Sequence, residues 1–244
     1  MKFAILYSGH LRTLLDTIDN HKEYITDYDK FDIYLNLWDG WGNGHVFKEY
    51  QFEDTDLITD EIKNILIKKL NPKFYEFQNY STIYNEITEV MKLQDGIYNT
   101  NKIQNVISMY YKLQRGFDHI KNSNIKYDGI LRLRPDNVFL SEIKLFKPEK
   151  NTLYTSLEYR WCINGNGVND QFGFGDMETM NKYTSVYCNL EKIWSENKNI
   201  NCAPEILLKT HLTKFNTIVK DILSGNEWDG RHLHKIMRED KNIV

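Results

Sequence analysis

The alternation of short apolar runs with amphipathic stretches constrains the fold of this chain more than any other feature. Residues 3–7 form a continuous apolar run, which is typical of a strand buried on both faces. The alternation continues through a helical stripe at 11–25, a strand at 31–38, a helix near 62–66, a strand at 73–77, a long helical stripe at 103–120 and a strand at 128–134. This order predicts an α/β fold whose central sheet is mostly parallel and has helices on both faces.

The second half of the sequence predicts shorter elements. Two short strands are expected at 152–155 and 171–174. Asp176 is placed to cap a helix whose inward residues extend to Trp194, and Pro204 suits the first turn of a further helix. Because the sequence contains no internal repeat and no linker-like tract, residues 1–244 are predicted to form a single domain.

Composition excludes several classes of protein. The 31 basic and 34 acidic side chains give a formal charge of −3, whereas a dedicated nucleic-acid binder usually has a basic excess. Hydrophobic residues make up 41% of the chain, which provides a sizeable core and argues against intrinsic disorder. No stretch approaches the roughly 20 apolar residues of a membrane-spanning helix.

The cysteines and the start of the sequence favour a cytoplasmic location. Cys162, Cys188 and Cys202 fit neither a disulfide framework nor a common zinc spacing, so reduced thiols are expected. The first residues also lack the long apolar stretch of a signal peptide.

The carboxyl ends of three predicted strands carry the best candidates for a binding site. In an open α/β sheet, ligands bind beyond the carboxyl ends of parallel strands. The polar or aromatic residues expected there are Ser8, Gly9, His10, Arg12, Asn36, Trp38, Asp39, Arg134 and Asp136. Together they would offer backbone access at a glycine, an aromatic ring, guanidinium groups and carboxylates.

The segment Arg132-Leu133-Arg134-Pro135-Asp136 has the most informative chemistry. Residues two apart in a strand share a face, so Arg132 and Arg134 lie side by side on an otherwise apolar strand. A buried guanidinium needs a carboxylate or phosphate partner. Pro135 ends the strand and places Asp136 at its tip, where a carboxylate can hold a divalent ion that bridges diphosphate oxygens. Alternatively, the arginines pair with internal carboxylates and Asp136 makes a turn.

Three segments resemble small glycosyltransferases of the GT-A fold from bacterial and giant-virus surface-glycan loci: LYSGHLRT, ILRLRPDNVF and VNDQFGFGDMETMNKYTSVY. The resemblance implies a Rossmann-like GT-A fold, a nucleotide-sugar donor that is UDP-linked by preference, and a glycan or other hydroxyl acceptor. Arg-Pro-Asp takes the place of the family's Asp-x-Asp motif. By this likeness Asp136 is the ligand of Mn²⁺ or Mg²⁺, and Arg134, which replaces the first Asp, is available to neutralise phosphate.

The same resemblance implies roles for further residues. Gly9 and Arg12 would line the nucleotide pocket, and Asp170 would face the acceptor or the reacting sugar. Several GT-A families supply a late histidine to the metal, which here is His232 or His234, although a solvated tail also explains this pair. Glu205 would enter the site by the same likeness, or it only favours the first turn of a helix through its charge.

Residue chemistry leaves alternatives open at three of these positions. Asp170 can act as the general base for an acceptor hydroxyl or make an Asx-type turn. Trp38 and the glycine-rich loop after it can stack a base or a sugar ring, or the tryptophans pin a surface loop. His10 is expected to touch the nucleotide or only to mark the entry to a helix.

The sequence does not contain the motifs of several other enzyme classes. The sequence has no P-loop, no Gly-x-Gly-x-x-Gly after the first strand and no Gly-x-Ser-x-Gly elbow. It is therefore interpreted as a cytoplasmic, metal-assisted glycosyltransferase in which the metal and the arginines stabilise the departing diphosphate. The alternatives are a GT-A-like module that binds a nucleotide or glycan without turnover, and a nucleotidyltransferase, for which the loop after the first strand is too sparse in glycine and arginine.

Overall fold

The computed structural model describes residues 1–40, 57–93, 100–156, 165–222 and 234–236. The strands are β1 (Phe3–Gly9), β2 (Asp32–Trp38), β3 (Phe74–Gln78), β4 (Gly129–Leu133), β5 (Asn137–Phe139), β6 (Thr152–Thr155), β7 (Phe172–Gly175), β8 (Ile218–Asp221) and β9 (His234–Ile236). The helices are α1 (Leu14–Tyr24), α2 (Asp60–Leu70), α3 (Tyr84–Lys92), α4 (Thr100–Asn122), α5 (Met177–Thr184), α6 (Leu190–Glu196) and α7 (Pro204–Thr213).

Seven strands form a central sheet in the order β3-β2-β1-β4-β7-β6-β8. The four strands β3, β2, β1 and β4 run parallel to one another. Strand β7 is antiparallel to both β4 and β6, and β8 is parallel to β6. A separate two-stranded sheet pairs β5 with β9. The prediction of an α/β fold with a mostly parallel central sheet is confirmed.

The sheet is covered by helices on both faces because its central strands are apolar on both sides. In β1, where every residue is buried, Ala4 and Leu6 belong to the apolar cluster that includes residues of α3 to α7. Ile5 and Tyr7 belong to the opposite cluster, which includes residues of α1 and α2. Among the residues that the structure describes, no helix is both long and apolar enough to cross a membrane.

The helix predicted over 176–194 is two helices, so the prediction of a single helix is wrong. Asp176 does cap α5, because its Oδ1 accepts a hydrogen bond from the Thr179 N–H at 2.7 Å. At the end of α5, the Thr184 and Ser185 hydroxyls each donate to a carbonyl four or three residues earlier, at 2.8 and 3.1 Å. Such side-chain bonds compete with the helical backbone pattern and bend or end helices.

Gly116 allows α4 to approach β1 and β2 closely. A Cβ at this position would lie 2.7 Å from Leu6 Cδ1 and 3.0 Å from Asn36 Cβ. Gly116→Ala gains about 1 kcal/mol of helix propensity, but the overpacking costs about 1–3 kcal/mol. We therefore expect a lower free energy of unfolding, measured with urea. Lys121→Ala, at an exposed position of the same helix, is the control, and a stabilised Gly116→Ala variant would contradict the close packing.

Candidate functional site

The three strand ends that the sequence singles out meet at one edge of the sheet. In the parallel register, Gly9 of β1 pairs with Leu37 of β2, and Tyr7 of β1 pairs with Leu133 of β4. The residues at and just after these pairs therefore lie close to one another along the same edge. They include Ser8, Gly9, His10, Arg12, Trp38, Asp39, Arg134 and Asp136.

Strand β7 brings a further segment to this edge. Because β7 is antiparallel to β4, its first residues lie beside the end of β4, and the Arg134 N–H donates to the Gln171 carbonyl at 2.9 Å. The preceding residue is Asp170, whose carbonyl accepts a hydrogen bond from Arg132 Nη1. Asp170 therefore lies at the same edge as Arg134 and Asp136.

Asp136 binds two arginines from different parts of the chain, in an arrangement we call the Arg12–Asp136–Arg134 triad. Arg12 Nη1 donates to Asp136 Oδ2 at 2.8 Å, and Arg134 Nε donates to Oδ1 at 2.6 Å. The Asp136 side chain is 1% exposed, whereas Arg12 and Arg134 keep 27% and 13% exposure. Burial acts to raise the pKa of Asp136, but the charges of Arg134 and Arg12 hold it well below its usual range. The carboxylate is therefore charged throughout the physiological range.

The backbone on either side of the triad explains its placement. Pro135 cannot continue the strand ladder, and its carbonyl accepts a hydrogen bond from Thr17 Oγ1 of α1 at 2.7 Å. At the end of β1, Gly9 has φ 112°, and in the loop after it Arg12 has φ 49°, which turn the chain toward Asp136. No described atom would lie within 4 Å of a Cβ on Gly9, so among the described residues it is the backbone conformation that favours glycine here.

Arg132 is fully buried next to α4 and α5. Burial raises the pKa values of Tyr110 and Tyr183, and the positive charge of Arg132 acts against that rise. Among the described residues, its Nε and Nη2 have no hydrogen-bond partner, and Nη1 donates to the Asp170 carbonyl. The sequence predicts a carboxylate or phosphate partner for this guanidinium, and the partner in the described part of the chain is instead a backbone carbonyl.

The turn before β7 does not use the Asp170 side chain. Asn169 Oδ1 accepts the hydrogen bond from the Gln171 N–H at 2.7 Å, so Asn169 makes the Asx-type turn. Asp170 is itself 3% exposed. The Asx-type turn expected as the alternative role of Asp170 is therefore made by Asn169. A catalytic role of Asp170 stays a prediction.

Glu205 provides a second buried carboxyl group near Asp170. Burial, and then the negative charge of Asp170, raise the pKa of Glu205 to about 7, while Arg134 acts in the opposite direction. At neutral pH, Glu205 is therefore protonated in a large share of the molecules. Glu205 can therefore hold or release a proton at neutral pH beside the Asp170 carboxyl group.

Three contacts fix the start of α7 beside this edge. The Tyr110 hydroxyl donates to the Pro204 carbonyl at 2.6 Å, and the Val168 N–H donates to the Glu205 carbonyl at 2.9 Å. A Cβ on Gly167 would lie only 2.7 Å from Glu205 Cβ. The segment before β7 therefore packs directly against Glu205.

Glu205→Gln should reduce the pH dependence of stability. Because the folded-state pKa of Glu205 is raised to about 7, the wild type should lose stability as the pH rises from about 4.3, the ordinary Glu value, toward 7. The neutral amide removes this loss, which is on the order of 3 kcal/mol. Urea unfolding at pH 5 and pH 8 measures the difference. Glu191→Gln, at an exposed position of α6, should leave the wild-type pH dependence in place, and an equal dependence in Glu205→Gln would contradict the raised pKa.

Ser8 and His10 add neutral polar groups at the end of β1. Ser8 Oγ is buried and has no hydrogen-bond partner within the described ranges. Burial, and then the charge of Arg12, lower the pKa of His10 to about 3. His10 is therefore neutral at physiological pH and adds no charge to the edge.

The structure gives Trp38 and Asp39 different surroundings from those expected. Trp38 is 1% exposed and is covered by Tyr111, stacked at 5.9 Å, and by Tyr80, edge-on at 5.3 Å. It therefore presents no open face to a base or sugar, and the expectation of a stacking platform at this residue is wrong. Asp39 forms an ion pair with Lys63 of α2 at 2.9 Å. The glycine-rich loop at 41–44 lies outside the described residues.

Lys112 is a buried charge that the sequence analysis missed. Its Nζ donates to Asn36 Oδ1 at 2.6 Å and to Gln78 Oε1 at 3.1 Å, and lies 4.7 Å from the centre of the Trp38 ring. Burial lowers the pKa of Lys112 to about 7. Asn36 could have indicated it. This polar residue lies inside an otherwise apolar strand, and its buried amide requires a hydrogen-bond partner.

Asp136, His232 and His234 are the metal ligands that the sequence suggests. Both carboxylate oxygens of Asp136 accept hydrogen bonds from guanidinium groups, and no group of three His, Cys, Asp or Glu side chains suited to a metal occurs in the described part of the chain. His234 begins β9 and pairs with Phe139 of β5 through the backbone. His232 lies outside the described residues. Mn²⁺ or Mg²⁺ bound through Asp136 and either histidine stays a prediction.

Comparisons with known proteins return similarity of structure only. No protein-family model and no curated sequence matches the chain. Among solved structures, the chain is similar to the apo-form glycosyltransferase GlyE of Streptococcus pneumoniae TIGR4, with 12% identity, a TM-score of 0.47, and coverage of 90% of this chain and 45% of that chain. It is also similar to mouse xyloside xylosyltransferase 1 in its apo form, with 6% identity, a TM-score of 0.44, and coverage of 90% and 84%. The chain thus spans less than half of the GlyE chain, and at TM-scores below 0.5 neither similarity assigns an activity or a site residue here.

Proposed function

We infer that this chain transfers a sugar from a nucleoside-diphosphate sugar, UDP-linked by preference, to a hydroxyl group of a glycan or another acceptor. The observation that carries this proposal is the convergence of the Arg12–Asp136–Arg134 triad with Asp170 and Glu205 at the carboxyl edge of the parallel strands. This edge is where open α/β sheets bind nucleotides. It also offers both positive charge and a buried carboxyl pair.

The arginines would act on the leaving group. When the bond between the sugar and the diphosphate breaks, negative charge grows on the phosphate oxygens. Guanidinium groups already held in place by Asp136 stabilise that charge without a cost of reorganisation during the reaction. The planar guanidinium of Arg also matches two phosphate oxygens at once.

Asp170 and Glu205 would act on the acceptor or the transferred sugar. Both carboxyl groups are nearly fully buried, and the raised pKa of Glu205 allows Glu205 to take up a proton near neutral pH. In this proposal, Asp170 faces the attacking hydroxyl and Glu205 limits the negative charge beside it. The space that the described residues leave next to Gly9 supports a nucleotide lying along the end of β1.

A panel of nucleotide sugars tests the proposal. Melting temperatures are measured with UDP-, GDP-, dTDP- and CMP-sugars, and release of the free nucleotide is followed for every sugar that stabilises the protein. We expect a rise in melting temperature with at least one nucleoside-diphosphate sugar, because only ligands of the folded state stabilise it, together with slow release of nucleoside diphosphate. Stabilisation without any release, even with glycan acceptors, would instead support a binding module, and no stabilisation by any donor would refute the proposal.

A further inference from the structure

We propose that Arg12 and Arg134 bind the diphosphate of the donor without a divalent cation, and that Asp136 orients these two arginines instead of ligating a metal. This inference rests on the proposed function, and it departs from the metal-assisted mechanism that the sequence suggests. It concerns the ligand-binding chemistry of the triad, with Asp136 as a positioning residue.

Both carboxylate oxygens of Asp136 already bind guanidinium groups. Its two oxygens lie 2.6 and 2.8 Å from guanidinium nitrogens of two different arginines. A divalent cation must approach a carboxylate oxygen to about 2.0–2.6 Å, so it would have to displace a guanidinium or sit directly beside both. Either arrangement places a doubly charged cation against two fixed positive charges. The carboxylate at this position is therefore already occupied as a partner of the arginines.

The chemistry of the triad favours an anionic ligand. Arg12 and Arg134 share the carboxylate of Asp136, and the guanidinium group of Arg132 lies in the buried layer next to them. A planar guanidinium group binds two phosphate oxygens at once, so this arrangement is suited to a diphosphate.

The two arginines are accessible to a ligand, whereas Asp136 is not. Asp136 is 1% exposed, whereas Arg12 and Arg134 keep 27% and 13% of their side-chain surface exposed. An incoming ligand can therefore reach both guanidinium groups but cannot reach the carboxylate. Arg12 comes from the loop after β1 and Arg134 from the end of β4, so the two groups can contact the diphosphate from different strands.

Calorimetric titration with UDP, GDP and dTDP, each in EDTA and in Mn²⁺, tests this inference on the unmutated chain. We expect at least one nucleoside diphosphate to bind with dissociation constants in EDTA and in Mn²⁺ that agree within about threefold. Arg12→Gln and Arg134→Gln should each weaken that binding by about 10–100-fold, the loss typical of a charged hydrogen bond. Arg115→Gln is the matched control, because Arg115 pairs with Glu76 at the surface and should bind like wild type.

The outcomes separate this inference from the proposed function. Binding that appears only in Mn²⁺ and disappears in EDTA would overturn the metal-free triad while the proposed function stands. Wild-type affinity in both arginine variants would also overturn it. If no nucleoside diphosphate binds and no nucleotide sugar stabilises the protein, the proposed function fails and the inference fails with it. The wild-type comparison needs no variant, so the test holds even if an arginine variant does not fold.

Discussion

Asp170→Asn should lower turnover by about 10²–10⁴-fold, which is the range for loss of a general base, while the affinity for the nucleoside diphosphate stays nearly unchanged. The substitution keeps the shape of the side chain and the Asn169 turn, but it removes the group that, in the proposed function, takes a proton from the attacking hydroxyl. If the product retains its configuration, the carboxylate instead orients the sugar, and the loss is again expected in kcat. Turnover is followed by nucleotide release, and affinity is measured by calorimetry on the same preparation.

Asp176→Asn is the matched control for this experiment. It makes the same chemical change six residues later, at the N-cap of α5, where Asn caps as well as Asp. We expect wild-type turnover from it. Near-wild-type turnover in Asp170→Asn would remove Asp170 from the chemistry, and a parallel loss of affinity would place it in the donor site instead.

Asp136→Ala should cause the largest loss of stability of any single substitution proposed here, about 3–5 kcal/mol. Removing one partner of a buried ion pair leaves uncompensated charge, and here two guanidinium groups would lose their shared carboxylate. Because the folded-state pKa of Asp136 is depressed, its stabilisation is present above the ordinary Asp pKa of about 3.9 and is lost as the pH falls below it. When the pH is lowered, the variant should therefore lose less of its free energy of unfolding than the wild type does.

Urea unfolding between pH 7 and pH 3 measures both effects. Asp118→Ala serves as the control, because Asp118 is 46% exposed and its contact with Lys121 is 3.9 Å long, and an exposed pair of this kind is worth about 0–1 kcal/mol. A loss below about 1 kcal/mol in Asp136→Ala would contradict the buried triad.

The central strands and the edge of the site could be predicted from the sequence, because strands that are buried on both faces appear in it as continuous apolar runs. A run such as Phe3 to Tyr7 has few alternatives to a central strand. Pro135 marks the end of β4 because it cannot donate to the ladder. With β1, β2 and β4 parallel, the chain order alone places Arg12, Arg134 and Asp136 at one edge.

Pairings between distant residues could not be predicted. Arg12 and Asp136 are 124 residues apart, and nothing in local spacing shows that they meet. Strand β5 has three residues, which is too short for a clear alternation. Lys112 was not identified either, because its partners Asn36 and Gln78 are 76 and 34 residues away along the chain.

Because β7 runs antiparallel to β4, the chain supplies the edge of the site from two separate halves. The arginines belong to the loop after β1 and to β4, whereas Asp170 and Glu205 come from the chain beyond β6. The halves join along four residue pairs between β4 and β7. Under the proposed function, mutation or recombination in the later half could therefore alter the acceptor while β1 and β4, which would bind the donor, keep their structure.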